Sequence, residues 1–498
     1  MMYRTVAQLD SVTNILSAFF PAIFHREQLP ETSIQRRPVW ALRMRAGGGG
    51  GGRRAVLLVG GTHARELMNP DAIAELAIDL VLSYLNGTDI TYGGRTWPVS
   101  DIKLTLESLD IWMVFCANPD GREHVMTVDD LWRKNRRDNP GVVCPNAVDP
   151  DGVDLNRNAD FVWGVTQGQT SCNPCADVYV GASAFSEPET RNIRSLLNTH
   201  AIDTFADVHS FSELILFPWG HAPTQTTDPS KRFTTLPTGT CTTIGVPGYQ
   251  EYMPPRDLQK FQTVGNQIRS DINAVRGRLY TNQASIALYP TTGTQSDYVY
   301  SRHIANPALH KTYGYTFETG PSTPDLRESF HPADPTLIKR DAKAAMLSLI
   351  QQSVCAIELI GIQFLAGTDA VTSTRRVRDE SLASTPAGRE WIALAESILS
   401  EVGLVLLEDR ELGQEAAGLL EIATKRLQYE RTPLTGDEVA RAQKLIKRVA
   451  SKSESRQLQS DLQTVSDALA RMEGLTITDA LETLTRQGPV GYSNKQGA

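Results

Sequence analysis

Residues 55–70 read AVLLVGGTHARELMNP. The apolar run Ala55–Val59 fits a strand buried on both faces. Gly60 and Gly61 end it, and His63, Arg65 and Glu66 crowd into the turn that follows. Residues 69–85, NPDAIAELAIDLVLSYL, then carry apolar positions at helical spacing, with Asn69 or Pro70 as the start. Strand, turn and helix in this order are the repeating unit of an α/β sheet.

Further strands are legible outward from this stretch. They are VWALRMRA (39–46), LDIWMVFCANPDG (109–121, ending in a turn), two runs within IDTFADVHSFSELILFPWG (202–220), and GYTFETG (314–320). The glycine run Gly47–Gly52 is expected to be a flexible hairpin loop between 39–46 and 55–59. It lacks the Lys-Ser/Thr that a phosphate cradle needs. Residues 1–28 read as an amphipathic helix of a folded domain, not as a signal peptide. Up to about residue 360 the alternation predicts an α/β fold with a mixed central sheet flanked by helices.

From about Ser384 the pattern changes. REWIALAESILSEVGLVLL (389–407), QEAAGLLEIATKRLQYE (414–430), DEVARAQKLIKRVA (437–450) and SRQLQSDLQTVSDALARM (455–472) are helical in period, with charges opposite the apolar stripes. The expected organisation is an α/β catalytic domain over 1–362, a linker over 363–383, an all-α domain over 384–487 and a disordered tail over 488–498. The tail domain carries no chemical motif. Its amphipathic helices would serve a protein partner or self-association, or simply form a folded bundle.

With 498 residues and a net charge of −8, the chain gives no reason to expect nucleic-acid binding. No apolar run approaches the roughly 18 residues of a membrane span. Six cysteines in so long a chain do not make a disulfide scaffold, and a cytoplasmic location is expected.

His63 and Glu66 sit three residues apart at the end of a strand, where both can turn toward one point. Zinc accepts imidazole nitrogen and carboxylate oxygen, and a catalytic site needs three protein ligands and an open position. His-x-x-Glu is also a common salt-bridge or capping pattern. His209, directly after a strand-like run, is the best third ligand, and equally the pattern of a satisfied core histidine. Glu318 interrupts an aromatic strand. It could be a general base of raised pKa or an arginine's partner. Asn156 and Arg157 stand side by side, a pairing able to grip a carboxylate.

Taken in order, HARE, NPDG, LWRKNRR, DLNRN, HSFSELILFPWG, YPTTGTQSDY and YTFETG resemble the zinc carboxypeptidases of the carboxypeptidase A/B type. The resemblance runs from about Tyr3 to residue 350. It implies one zinc ion held by His63, Glu66 and His209, with Asp154 orienting the first histidine. It implies Glu318 as the base that activates water and Arg133 as the cation that stabilises the oxyanion. Asn156, Arg157 and the mobile Tyr289 would hold the terminal carboxylate of a peptide or protein substrate, and Arg65 would be an accessory substrate-binding cation. Ser296 would lie at the pocket base, where relatives that prefer Lys or Arg place an acid. A neutral last residue is therefore expected, unless Asp297 itself reaches the pocket. The resemblance also implies a Cys144–Cys175 disulfide, and the match begins so near Met1 that no inhibitory pro-domain is expected. Cys116 and Cys355 are expected to be buried thiols. The alternatives are a specialised amidase of the same family, acting on cell-wall peptides or glutamate tails, and a peptide-binding or assembly protein acting through the helical domain.

Overall fold

The computed structural model describes residues 3–47, 53–142, 144, 151–166, 168–222, 224–236, 239, 241–243, 249–354, 373, 377–429, 432–453 and 455–490. The strands among them are β1 (Phe24–Gln28), β2 (Trp40–Met44), β3 (Arg54–Gly60), β4 (Ile90–Tyr92), β5 (Arg95–Trp97), β6 (Leu109–Val114), β7 (Ile202–His209), β8 (Leu214–Phe217), β9 (Thr224–Thr226), β10 (Gln250–Tyr252), β11 (Thr281–Ala284) and β12 (Tyr313–Glu318). Eight of them form one sheet in the order β1-β2-β6-β3-β7-β12-β8-β11. The middle of the sheet, β6-β3-β7-β12, is parallel, and β2 and β8 run antiparallel to their inner neighbours. The mixed α/β class is as expected.

Burial explains this order. β3 and β7 are buried along their whole lengths, as strands covered on both faces must be. β2 keeps Trp40 and Arg43 half-buried and lies near the sheet's edge. The expected hairpin between 39–46 and 55–59 is therefore not formed: β2 pairs with β6, which lies between β2 and β3. Residues 48–52 of the glycine run lie outside the described residues. The helix after β3 spans Met68–Asn86 and ends on Gly87 in the left-handed conformation.

The chain divides into two compact units, one of residues 1–47 and 54–353, the other of residues 354–498 together with 48–53. The described part of the second unit holds helices Pro386–Glu408, Arg410–Tyr429, Gly436–Lys452, Arg456–Ala470 and Ile477–Arg486. The last of these was not anticipated. Hydroxyl caps at Thr385, Thr435, Ser455 and Thr476 satisfy the first-turn N–H groups. Trp391, Leu394, Leu412, Leu445 and Leu458 fill the interior. The expected linker and disordered tail fall largely outside the described residues.

The Cys144–Cys175 disulfide is present, and a second joins Cys172 to Cys241. Cys116 is a free, half-buried thiol, and Cys355 lies outside the described residues. Among the described residues no helix is long and apolar enough to cross a membrane.

Candidate metal centre

β3 and β7 lie side by side in parallel, so their carboxyl ends deliver His63 and His209 to one place. His63 Nδ1 lies 2.9 Å from His209 Nδ1 and 2.7 Å from Glu66 Oε1. His209 Nδ1 lies 2.9 Å from Glu66 Oε2, and all three side chains are buried. Their ligand atoms fall within 4.8 Å of one another. Two imidazole nitrogens and a carboxylate oxygen are donors zinc takes, and three protein ligands are the complement of a catalytic site. Lone pairs crowded together in a buried space are what a cation satisfies, so these residues fit the metal.

The surroundings hold the three in place. Glu66 Oε2 also accepts from the Ser210 backbone N–H at 3.2 Å. Asn69 donates to Ser210 Oγ at 3.2 Å and accepts from Thr319 Oγ1 at 2.9 Å, which ties the ends of β7 and β12 to the Met68–Asn86 helix. The Ala64 N–H donates to the Arg133 carbonyl at 2.9 Å, joining the His63 turn to the cationic loop.

Asp154 lies where the resemblance puts it. His63 Nε2 is 3.2 Å from Asp154 Oδ1, and Arg133 Nε donates to Asp154 Oδ2 at 3.0 Å. Burial opposes the charge of Asp154, but Arg133, Arg157 and His63 outweigh it and hold the carboxyl well below its ordinary range. Burial likewise opposes the charge of Arg133, and Asp154, Tyr289 and Glu66 raise its pKa above the ordinary value.

Glu318 is the last residue of β12 and pairs in register with His209. It is half-buried. Burial pushes its carboxyl up to about 8, with Glu66 and Asp207 adding to the rise and His209 and Arg133 opposing it. Asn156 approaches His209 Nε2 at 3.5 Å and accepts from the Gln295 N–H at 2.9 Å. The guanidinium of Arg157 is fixed by the carbonyls of Gln169 (2.6 Å) and Asn156 (2.7 Å). Gly293 packs against this backbone: a Cβ there would fall 2.2 Å from the Arg157 carbonyl oxygen, so the loop after Tyr289 needs glycine at that point. Tyr289 is half-buried on that loop.

Ser296 is buried in the first turn of the Gln295–Ala305 helix. Asp297 beside it is occupied: its two oxygens accept from the Gly220 N–H at 3.2 and 3.0 Å. Arg65 turns to the Leu131 carbonyl (3.1 Å) and lies over the Phe330 ring at 4.6 Å. The structure thus brings together His63, Glu66, His209, Asp154, Arg133, Glu318, Asn156 and Arg157. Sequence reasoning missed Asp207, whose Oδ2 lies 2.9 Å from His209 Nε2. The available signal was an acid two residues before a ligand in a buried strand, hence on the same face.

A mixed α/β sheet thus carries, at the carboxyl ends of its parallel strands, a His, Glu, His cluster able to hold a metal ion. The chain belongs to the zinc carboxypeptidase family, whose model matches residues 11–346. It is 31% identical over 222 residues to carboxypeptidase B of Helicoverpa zea, covering 44% of this chain and 47% of that protein. It is 28% identical over 313 residues to carboxypeptidase A4 of Mus musculus, covering 62% and 60%. An inactive metallocarboxypeptidase of Ajellomyces dermatitidis is 26% identical over 277 residues, covering 54% and 43%. The matches to these relatives thus span about half of their lengths. Among solved structures, bovine thrombin-activatable fibrinolysis inhibitor, in complex with tick carboxypeptidase inhibitor, shares the fold with a TM-score of 0.53 at 19% identity, covering 70% of this chain and 97% of that one. Carboxypeptidase A of Helicoverpa armigera gives 0.51 at 22%, covering 70% and 74%.

Proposed function

We propose that this protein is a zinc-dependent metallocarboxypeptidase that hydrolyses the C-terminal peptide bond of peptides or proteins, with preference for a neutral last residue. The observation that carries the reading is the meeting of the His63, Glu66 and His209 donors with Glu318 paired directly to His209. Zinc, when bound, supplies Lewis-acid polarisation of the scissile carbonyl and of water. Glu318 takes the proton of the attacking water and returns it to the departing amine. A carboxyl of raised pKa at the end of a strand suits both tasks. Arg133, kept charged by Asp154, stabilises the oxyanion. Asn156, Arg157 and Tyr289 hold the free carboxylate of the substrate, which an internal peptide bond does not offer, and Arg65 is an accessory substrate-binding cation.

The neutral preference rests on Ser296 and on Asp297, whose carboxylate is already committed to the Gly220 N–H. Release of free amino acids from N-blocked dipeptides, varied in the last residue and repeated with a zinc chelator, tests both points. Phe or Leu should be released faster than Lys or Arg, and chelator should stop the release. No release from any dipeptide would favour the second reading, a catalytically silent peptide-binding protein, which the inactive relatives motivate. Two disulfides favour an oxidising compartment over the cytoplasmic one. A role for the helical unit in binding a partner or a second copy rests on its amphipathic helices. Unchanged solution mass after truncation near residue 370 would remove self-association.

A further inference from the structure

We propose that Asp207 is a positioning residue of the metal centre: its carboxylate fixes the ring of His209 and, through Thr62, the turn that carries His63. The inference rests on the metallocarboxypeptidase reading above and concerns a side chain that reading does not use. All eight residues of β7 are buried, and Asp207 is fully so. A carboxylate is costly in such a place unless it is paired. Asp207 Oδ2 lies 2.9 Å from His209 Nε2, and Asp207 Oδ1 accepts from Thr62 Oγ1 at 2.8 Å. The first contact is close but not directed as a hydrogen bond, so it acts on the ring as a fixed charge.

The two imidazoles face carboxylates in the same sense, His63 through a hydrogen bond and His209 through a charge contact that lies beside the Asn156 amide, 3.5 Å from Nε2. Each turns Nδ1 to the shared point and Nε2 to a buried carboxylate, His63 to Asp154 at 3.2 Å and His209 to Asp207 at 2.9 Å. A carboxylate there favours the Nε2–H tautomer and leaves the Nδ1 lone pair for a cation. Asp207 does a second thing as well. It stands opposite Val59 in the β3–β7 pairing and reaches the hydroxyl of the residue before His63. The separation of the two histidines is thereby set by a side-chain bond across two strands as well as by the sheet.

The test uses the full chain stripped of metal and titrated with zinc against a chromophoric chelator, with the melting of the metal-free protein followed in parallel. Asp207→Asn keeps the shape and removes the charge. It is expected to raise the zinc Kd by about 10–100-fold with little change in melting, and to shift the visible bands of the cobalt-loaded protein. Wild-type zinc affinity with an unshifted cobalt spectrum would overturn the proposal, whatever the melting does. If Asp207→Asn does not fold, Thr62→Val carries the test: it removes the anchor of Asp207 and should weaken zinc binding several-fold, and unchanged affinity overturns the idea. A wild-type chain that takes up no zinc would overturn the metal-centre reading itself, which is a different result from a zinc-binding wild type beside an indifferent Asp207→Asn.

Discussion

In the helical unit Leu394, Leu412, Leu445 and Leu458 fill the interior, while Arg448 pairs with Glu411 and Glu415 on the outside. At the carboxyl ends of β3, β7 and β12 the distribution is reversed, and His63, Glu66, Asp154, Asp207 and His209 are all buried. The helical unit follows the binary pattern over most of its length, with Asp461 a buried exception, and is explained by burial of apolar side chains. The sheet departs from the pattern at the strand ends, where ionisable groups are kept out of water at a cost in stability. Such local departures from the rules of packing are where chemistry is found.

The largest effect that could break this comparison is at Glu318. Glu318→Gln should lower kcat on a blocked dipeptide by about 10²–10⁴-fold, with bound zinc and melting temperature little changed. A fully active variant would remove Glu318 from the mechanism. On the other side, Leu394→Ala empties a fully buried position of the helical core and should cost about 2–5 kcal/mol of that unit's stability. Denaturant unfolding followed at Trp391 measures it, and kcat/KM should stay at the wild-type value.

A smaller effect sharpens the point about buried charge. Burial pushes Glu189 up to about 8, and neighbouring Glu187 adds to the rise. Folded protein therefore keeps a proton that the unfolded chain releases near pH 4.5, so the contribution to stability is full below that pH and is lost as pH rises toward 8. Melting temperature against pH should fall over this window in the wild type and fall less in Glu189→Gln. The smallest effect is expected at the exposed Lys425–Glu421 pair of the helical unit, where Glu421→Gln should change stability by no more than about 0.5 kcal/mol.

How much could be read in advance follows the same division. The helical runs were legible because period and capping residues agree. The Ile477–Arg486 helix was missed because it is short and begins after a glycine turn at Gly474. The strands of the sheet were legible as apolar runs, but their order was not: chain adjacency suggested a hairpin between 39–46 and 55–59, and burial of β3 on both faces placed β6 between them. His63, Glu66, His209 and Glu318 stood out as polar residues at or just beyond the ends of apolar strands, and the resemblance to the zinc carboxypeptidases made them a ligand set and a base. Asp207 was missed although it stands two residues before His209 on the same strand face, because that spacing alone does not tell a positioning carboxylate from an ordinary ion pair; its role needs the ring of His209 and the hydroxyl of Thr62 beside it. The Cys172–Cys241 bond was hidden for the same reason, its two halves being 69 residues apart.

Metal content of the purified full chain, measured by elemental mass spectrometry for wild type, His209→Ala and Glu66→Ala, tests the central claim most directly. The account predicts one zinc per wild-type chain and loss of that zinc in both folded variants. A zinc-free wild type, or full zinc retained in both variants, would contradict it.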